Sequence, residues 1–143
     1  MNHPSRTRRF RLPSRAVVAT TAVAFVAVLS ACPALAAPND LLARYAAEAG
    51  RAPDAARGQQ WYAARHANDW SCASCHGERP TAEGRHASSK RTIAPLAPSA
   101  NAKRFSDEAK VEKWFRRNCN DVLERACTPA EKADVLAWLL TLK

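Results

Sequence analysis

Beyond residue 37, apolar side chains recur at helical spacing in short stretches separated by proline, glycine and capping residues. Asn39-Asp40 precedes a helical stretch over Leu41–Ala49 that Gly50 can end, and Pro53-Asp54 opens a second one running to about His66. Ser106 is expected to cap a third helix reaching about Asn118, with Val111, Trp114 and Phe115 at i, i+3 and i+4 on one face. Thr128-Pro129-Ala130-Glu131 is a stronger start. It pairs a capping box with proline at the first helical position, and Val135, Leu136, Leu139 and Leu140 follow on one side. No stretch shows strand alternation and no internal repeat is visible. From Gly77 to Ala102 there is no sustained period, and Pro80, Pro95 and Pro98 punctuate a long ordered loop. A loop of that length in a small domain needs a reason, and wrapping a large cofactor is one. The pattern predicts an all-α domain of three to five short helices. Its core is thin enough to need a staple or a cofactor at the centre.

The N-terminal stretch reads differently. Arg6, Arg8, Arg9, Arg11 and Arg15 precede a run of apolar and small residues from Ala16 to Ala31, and Ala34-Leu35-Ala36 follows. A basic region, an apolar run too short for a bilayer span and a small-x-small site make a cleaved signal peptide over residues 1–36, leaving one domain over 37–143. Leu29-Ser30-Ala31-Cys32 also resembles a lipoprotein box, which the site directly downstream competes with. Arg8-Arg9 resembles a twin-arginine signal in a poor context. Export implies the periplasm and permits disulfides. It also changes the charge. The formal +9 of the 143-residue chain falls to +4, because all 13 acidic residues but only 17 of the 22 basic ones lie beyond residue 36. A mildly basic domain suits an acidic partner surface and is no nucleic-acid footprint.

Cys72-Ala73-Ser74-Cys75-His76 is C-x-x-C-H, the attachment pattern of haem c. Two thiols add across the two vinyl groups of haem as thioethers, and the adjacent histidine lies under the iron as its proximal ligand. A thioredoxin-like pair would need a βαβ context, and a zinc site would need further well-spaced ligands, so one covalent haem c is the expected cofactor. Cys119 and Cys127 stand eight positions apart between two helices and are read as a disulfide; two free thiols are the alternative. Closing such a loop contributes roughly 2–3 kcal/mol on the chain-entropy estimate.

The sixth iron ligand decides what such a protein does. The only methionine is Met1, so the processed domain has none and His/Met ligation is excluded. His66 and His86 remain, as does a weak neutral group such as an amide. A replaceable ligand would let the iron take O₂, NO or CO. Arg116 and Arg117 are candidates to pair with haem propionates or to form a solvated face. Trp61, Trp114, Phe115 and Trp138 are candidates to pack on the haem.

Three segments carry a resemblance. They are Cys72–Gly77, the stretch Ile93-Ala94-Pro95-Leu96-Ala97-Pro98-Ser99, and Arg104-Phe105 through Lys110–Cys119 on to Cys127-Thr128-Pro129 and Glu131–Leu139. Over nearly the whole domain the chain resembles the Sphaeroides haem protein family of oxygen-binding class I c-type cytochromes, departing from it at Ser88-Ser89-Lys90. The resemblance implies a class I cytochrome c-like fold around one haem, attached at Cys72 and Cys75 with His76 proximal. It implies Asn118 as the sixth ligand, next to a Cys119–Cys127 bridge. It further implies ferrous iron that releases the asparagine to bind diatomic gases, and a dihaem cytochrome c or a membrane cytochrome b as electron partner. Oxygen reductase or NO dioxygenase activity would follow from that open site.

Overall fold

The computed structural model describes residues 38–143. The expected signal peptide, its cleavage site and Cys32 lie outside the described residues. Five helices, α1 (Pro38–Ala49), α2 (Ala55–Ala63), α3 (Ala73–His76), α4 (Glu108–Leu123) and α5 (Pro129–Thr141), and a 3-10 turn over Ala67–Asp69 form the domain. None of the helices among the described residues is long and apolar enough to cross a membrane.

Local signals set most helix ends. Gly50, with φ of +64°, stops α1. Asp54 caps α2 by accepting from the Arg57 amide. That helix ends at Ala63 rather than near His66, because Ala64 is already extended. The cap of α4 is Asp107, which accepts from the Lys110 amide, and not Ser106, whose hydroxyl bonds the Lys103 carbonyl. The helix continues past Asn118 to Leu123, where Glu124 takes a left-handed conformation with φ of +58°.

At α5 both halves of the capping box are present. Thr128 accepts from the Glu131 amide, and the Glu131 carboxylate accepts from the Thr128 amide and from Arg125. Burial of Glu131 works against its charge, but the hydrogen bonds from Arg125 and the Thr128 backbone win and hold its carboxyl down to about 2. Its stabilisation is therefore present above its ordinary range near 4.5 and lost as pH falls toward 2. Glu131→Gln should lower stability by about 1 kcal/mol at neutral pH. The wild-type and variant urea midpoints should converge in acid; a gap that persists at low pH would put the effect elsewhere.

Helix α5 is the centre of the domain and packs against both α1 and α2. Leu41 and Tyr45 of α1, Tyr62 of α2 and Leu136, Trp138 and Leu139 of α5 form one buried cluster with Phe105 and Val111. Helices α2 and α5 touch at backbone distance. A Cβ at Gly58 would sit 1.9 Å from the Asp134 carbonyl oxygen. Asp134 is buried and fixes this crossing, accepting from the Asp54 amide at 2.8 Å and from Arg51 and Arg57. Glu112 ties α4 to the same bundle by accepting from Tyr45 Oη and Lys132 Nζ, both at 2.7 Å, and from Arg44. Trp138 packs on Tyr62, with ring centroids 4.6 Å apart, inside this core.

The segment between α3 and α4 contains one feature the pattern did not predict, a hairpin pairing Gly84–Arg85 with Thr92–Ile93. These are strands β1 and β2. Two-residue strands are too short for alternation to register.

Candidate functional site

One cavity of about 790 Å³ opens between α3, the hairpin, the loop beyond it and α4. That volume lies within the range of roughly 300–1,000 Å³ expected of a small-molecule or cofactor site. Its walls are mainly apolar and aromatic, and Trp61, Tyr62, Ile93, Leu96, Phe105 and Leu139 are among them. Cys72, Cys75 and His76 line one wall, and neither cysteine is in a disulfide.

The helix that carries them is held from three directions. Ser71 Oγ accepts from the Ser74 amide at the start of α3, and Tyr62 Oη donates to the Gly77 carbonyl at its end, 2.9 Å away. Strand β1 presses on its back, where a Cβ at Gly84 would lie 2.2 Å from the Cys75 carbonyl oxygen and 2.9 Å from His76 Cα. Gly84→Ala should therefore displace α3 and with it the histidine. A smaller fraction of chains carrying covalent haem, or a shifted haem absorption band, is the expected result; a wild-type spectrum at wild-type yield would show that the contact yields freely.

Burial pushes the His76 imidazole down to about 4, and the nearby Arg104 charge adds to the effect. His76 is thus neutral across the ordinary pH range and offers an imidazole lone pair. Burial also pushes the Cys72 thiol up to about 12. Two thiols and a neutral imidazole on one short helix, facing a large apolar cavity, are the donor set that haem c needs. No three His, Cys, Asp or Glu side chains converge among the described residues as a zinc site would require.

The other candidates separate clearly. Asn118 lines the cavity from α4, on the stripe Val111, Phe115, Asn118 and Val122. Cys119 beside it also lines the cavity and is joined by a disulfide to Cys127, with Cα atoms 5.6 Å apart. The bridge connects α4 to the residue preceding the α5 cap. His66 is not on the cavity wall. Its Nε2 pairs with the Trp61 carbonyl at 3.0 Å and its ring packs on Trp61. His86 is on the wall, beside Cys75, whose Sγ accepts from the Ala87 amide at 3.4 Å. The His86 Nδ1 accepts from the Ser89 amide at 3.2 Å, which leaves the ring proton of the neutral form on Nε2. Arg117 lines the cavity and stacks on Trp114, which lines it as well; Arg116 and Trp138 do not.

Sequence reasoning missed Tyr62, Gly84 and Arg104 as parts of this site. Only Arg104 carried a signal, through its place in the family-like segment.

Fold and site together define a class I c-type cytochrome carrying one covalently bound haem c. The family profile described as a domain of unknown function (DUF1924) matches residues 48–139. The cytochrome c-type protein SHP of Cereibacter sphaeroides is 49% identical over 114 residues, spanning 75% of this chain and 88% of that protein. The structure of oxidised SHP, an oxygen-binding cytochrome c, superposes with a TM-score of 0.68 at 47% identity, covering 73% of this chain and 96% of that one. Oxidised cytochrome c'' from Methylophilus methylotrophus follows with a TM-score of 0.67 at 34% identity, covering 74% and 94%. A solution structure of the same cytochrome c'' addresses haem-ligand detachment. The chain belongs to the sphaeroides haem protein family.

Proposed function

We propose that this protein is a periplasmic redox cytochrome whose sixth ligand, Asn118, yields at ferrous iron to O₂, NO or CO, and which exchanges electrons with a dihaem cytochrome c or a membrane cytochrome b. Haem, when bound, would supply a one-electron couple and iron able to take a diatomic gas. The chain supplies the rest. His76 is held neutral as the proximal donor, and Cys72 and Cys75 anchor the macrocycle. Asn118 offers an amide oxygen, a hard and weak donor that ferrous iron holds loosely. The Cys119–Cys127 bridge ties the backbone beside Asn118 to the start of α5. Val111, Phe115 and Leu139 keep the cavity wall apolar.

The observation that carries this reading is the place of Asn118 on the cavity wall, beside the disulfide. His66 is off the wall, with its Nε2 against the Trp61 carbonyl, and the His86 Nδ1 is held in its turn by the Ser89 amide. The oxygen binding of SHP and the ligand detachment of cytochrome c'' support the same reading. A plain electron carrier ligated by His86 would have to break the turn that holds that ring. Any oxygen reductase or NO dioxygenase activity is a consequence of the yielding ligand rather than a separate device.

The deciding measurement is the absorption spectrum of the holoprotein, oxidised and dithionite-reduced, with and without CO. The reduced spectrum should shift on addition of CO. A low-spin reduced spectrum indifferent to CO would overturn the reading and make the plain carrier the better one.

A further inference from the structure

Arg104 stands apart from the other cations near the cavity. Lys103, Lys110 and Arg117 line the same cavity but are exposed, where solvent and salt screen their charge. Arg104 is half-buried and pinned by backbone carbonyls. Its Nε donates to the Pro95 carbonyl at 2.9 Å and one terminal nitrogen to the Ala94 carbonyl at 2.6 Å. Asn101 Nδ2 donates to the same Pro95 oxygen, and the Arg104 amide donates to the Asn101 carbonyl. The segment it grips is itself fixed, because the Leu96 and Ala97 amides both donate to the Pro80 carbonyl. Phe105, with φ of +58°, then turns the chain so that its own ring enters the core. No carboxylate pairs with Arg104 among the described residues. The guanidinium is therefore a fixed charge at the cavity wall that no side chain of the described residues neutralises.

We infer that Arg104 is a positioning residue for the redox couple: its charge biases the haem iron toward the ferrous form. The inference rests on the proposed function only in that the ferrous form is the one a yielding Asn118 leaves open to gas. The physical reason is plain. The oxidised iron carries one more positive charge than the reduced iron, and a desolvated cation nearby opposes that charge in proportion to the local dielectric. Two effects of one residue must be kept apart, the charge and the two-carbonyl clamp. Lysine keeps the charge but lacks the planar fork that grips both carbonyls, and glutamine loses the charge.

The experiment is a spectroelectrochemical titration of the holoprotein without any gas, comparing wild type with Arg104→Lys, Arg104→Gln and Lys103→Gln. At a poise where the wild type is half reduced, Arg104→Gln should be about tenfold less reduced relative to its oxidised form, a fall of about 59 mV for a one-electron couple. Arg104→Lys should stay near the wild type, and so should Lys103→Gln at physiological salt. An Arg104→Gln midpoint at the wild-type value overturns the inference. So does an equal fall in the lysine and glutamine variants, which assigns the effect to the clamp, or an equal fall in Lys103→Gln, which assigns it to surface charge at large. Should Arg104→Gln fail to accumulate with haem, Arg104→Lys decides: a midpoint close to wild type supports the role of charge, and a clear fall overturns it. The titration is independent of the CO response, so this inference and the gas-binding reading fail separately.

Discussion

Replacing Asn118 by alanine should leave the haem covalently attached and speed CO binding to the reduced protein on the order of tenfold or more. Removing a ligand that must be displaced first raises the fraction of iron ready to bind, and each tenfold of competition removed is worth about 1.4 kcal/mol. The substitution is structurally mild. Asn118 is exposed and lies inside α4 with more than one turn of helix on its C-terminal side, and alanine is the better helix former. The disulfide beside it does not involve the replaced side chain. Asn118→His should act in the opposite direction, because an imidazole is a stronger ligand for ferrous iron than an amide. Its reduced spectrum should be low-spin and insensitive to CO. Stopped-flow CO rates and reduced spectra that match the wild type in both variants would remove Asn118 from the iron.

The second large effect is on the fold. Gly58→Ala should cost about 3 kcal/mol or more, at or above the upper end of the usual overpacking range. The added methyl would meet the Asp134 carbonyl oxygen at 1.9 Å, its carbon at 2.3 Å and the Val135 nitrogen at 2.9 Å. These are backbone atoms, so no rotamer change relieves the contact and α2 must lift from α5. Lifting it separates Tyr62 from Trp138 and pulls Asp54 and Arg57 away from Asp134. The helix-propensity gain of alanine over glycine, about 1 kcal/mol, is too small to offset this. A melting point roughly 12–24 °C lower is expected for a domain of this size. Gly50→Ala provides the comparison. Nothing lies within 4 Å of its added Cβ, and only its positive φ resists. It should cost roughly 1 kcal/mol. Equal melting points for wild type and Gly58→Ala would show that the crossing is loose.

The features legible in the sequence are the local ones. The capping box of Thr128 and Glu131, proline at its first helical position, the glycine that ends α1 and the spacing of Cys72, Cys75 and His76 each act within a few residues, so their pattern is complete in the chain. The misses have a common cause. Ser106 and Asp107 are both good caps, and only the path of the preceding loop decides between them. Asn118 at a helix end and Asn118 in mid-helix share one local sequence, and the left-handed turn at Glu124, six residues on, settles which it is. Gly58 and Gly84 look like ordinary glycines until α5 and α3 are placed against them. The grip of Arg104 on Ala94 and Pro95 joins positions nine and ten residues apart across an irregular loop, where no period marks the partners.

The packing of α1 and α2 on α5 has a consequence for timing. Helices α1 and α2 both pack on the final helix of the domain, and Val135 and Leu139 of that helix also line the cavity. A growing chain therefore presents Cys72, Cys75 and His76 well before the wall that shelters them exists. In the closed fold, burial raises the Cys72 thiol and suppresses its reactive thiolate form. A chain that closes before haem is attached therefore holds Cys72 in the form least able to add to a vinyl group.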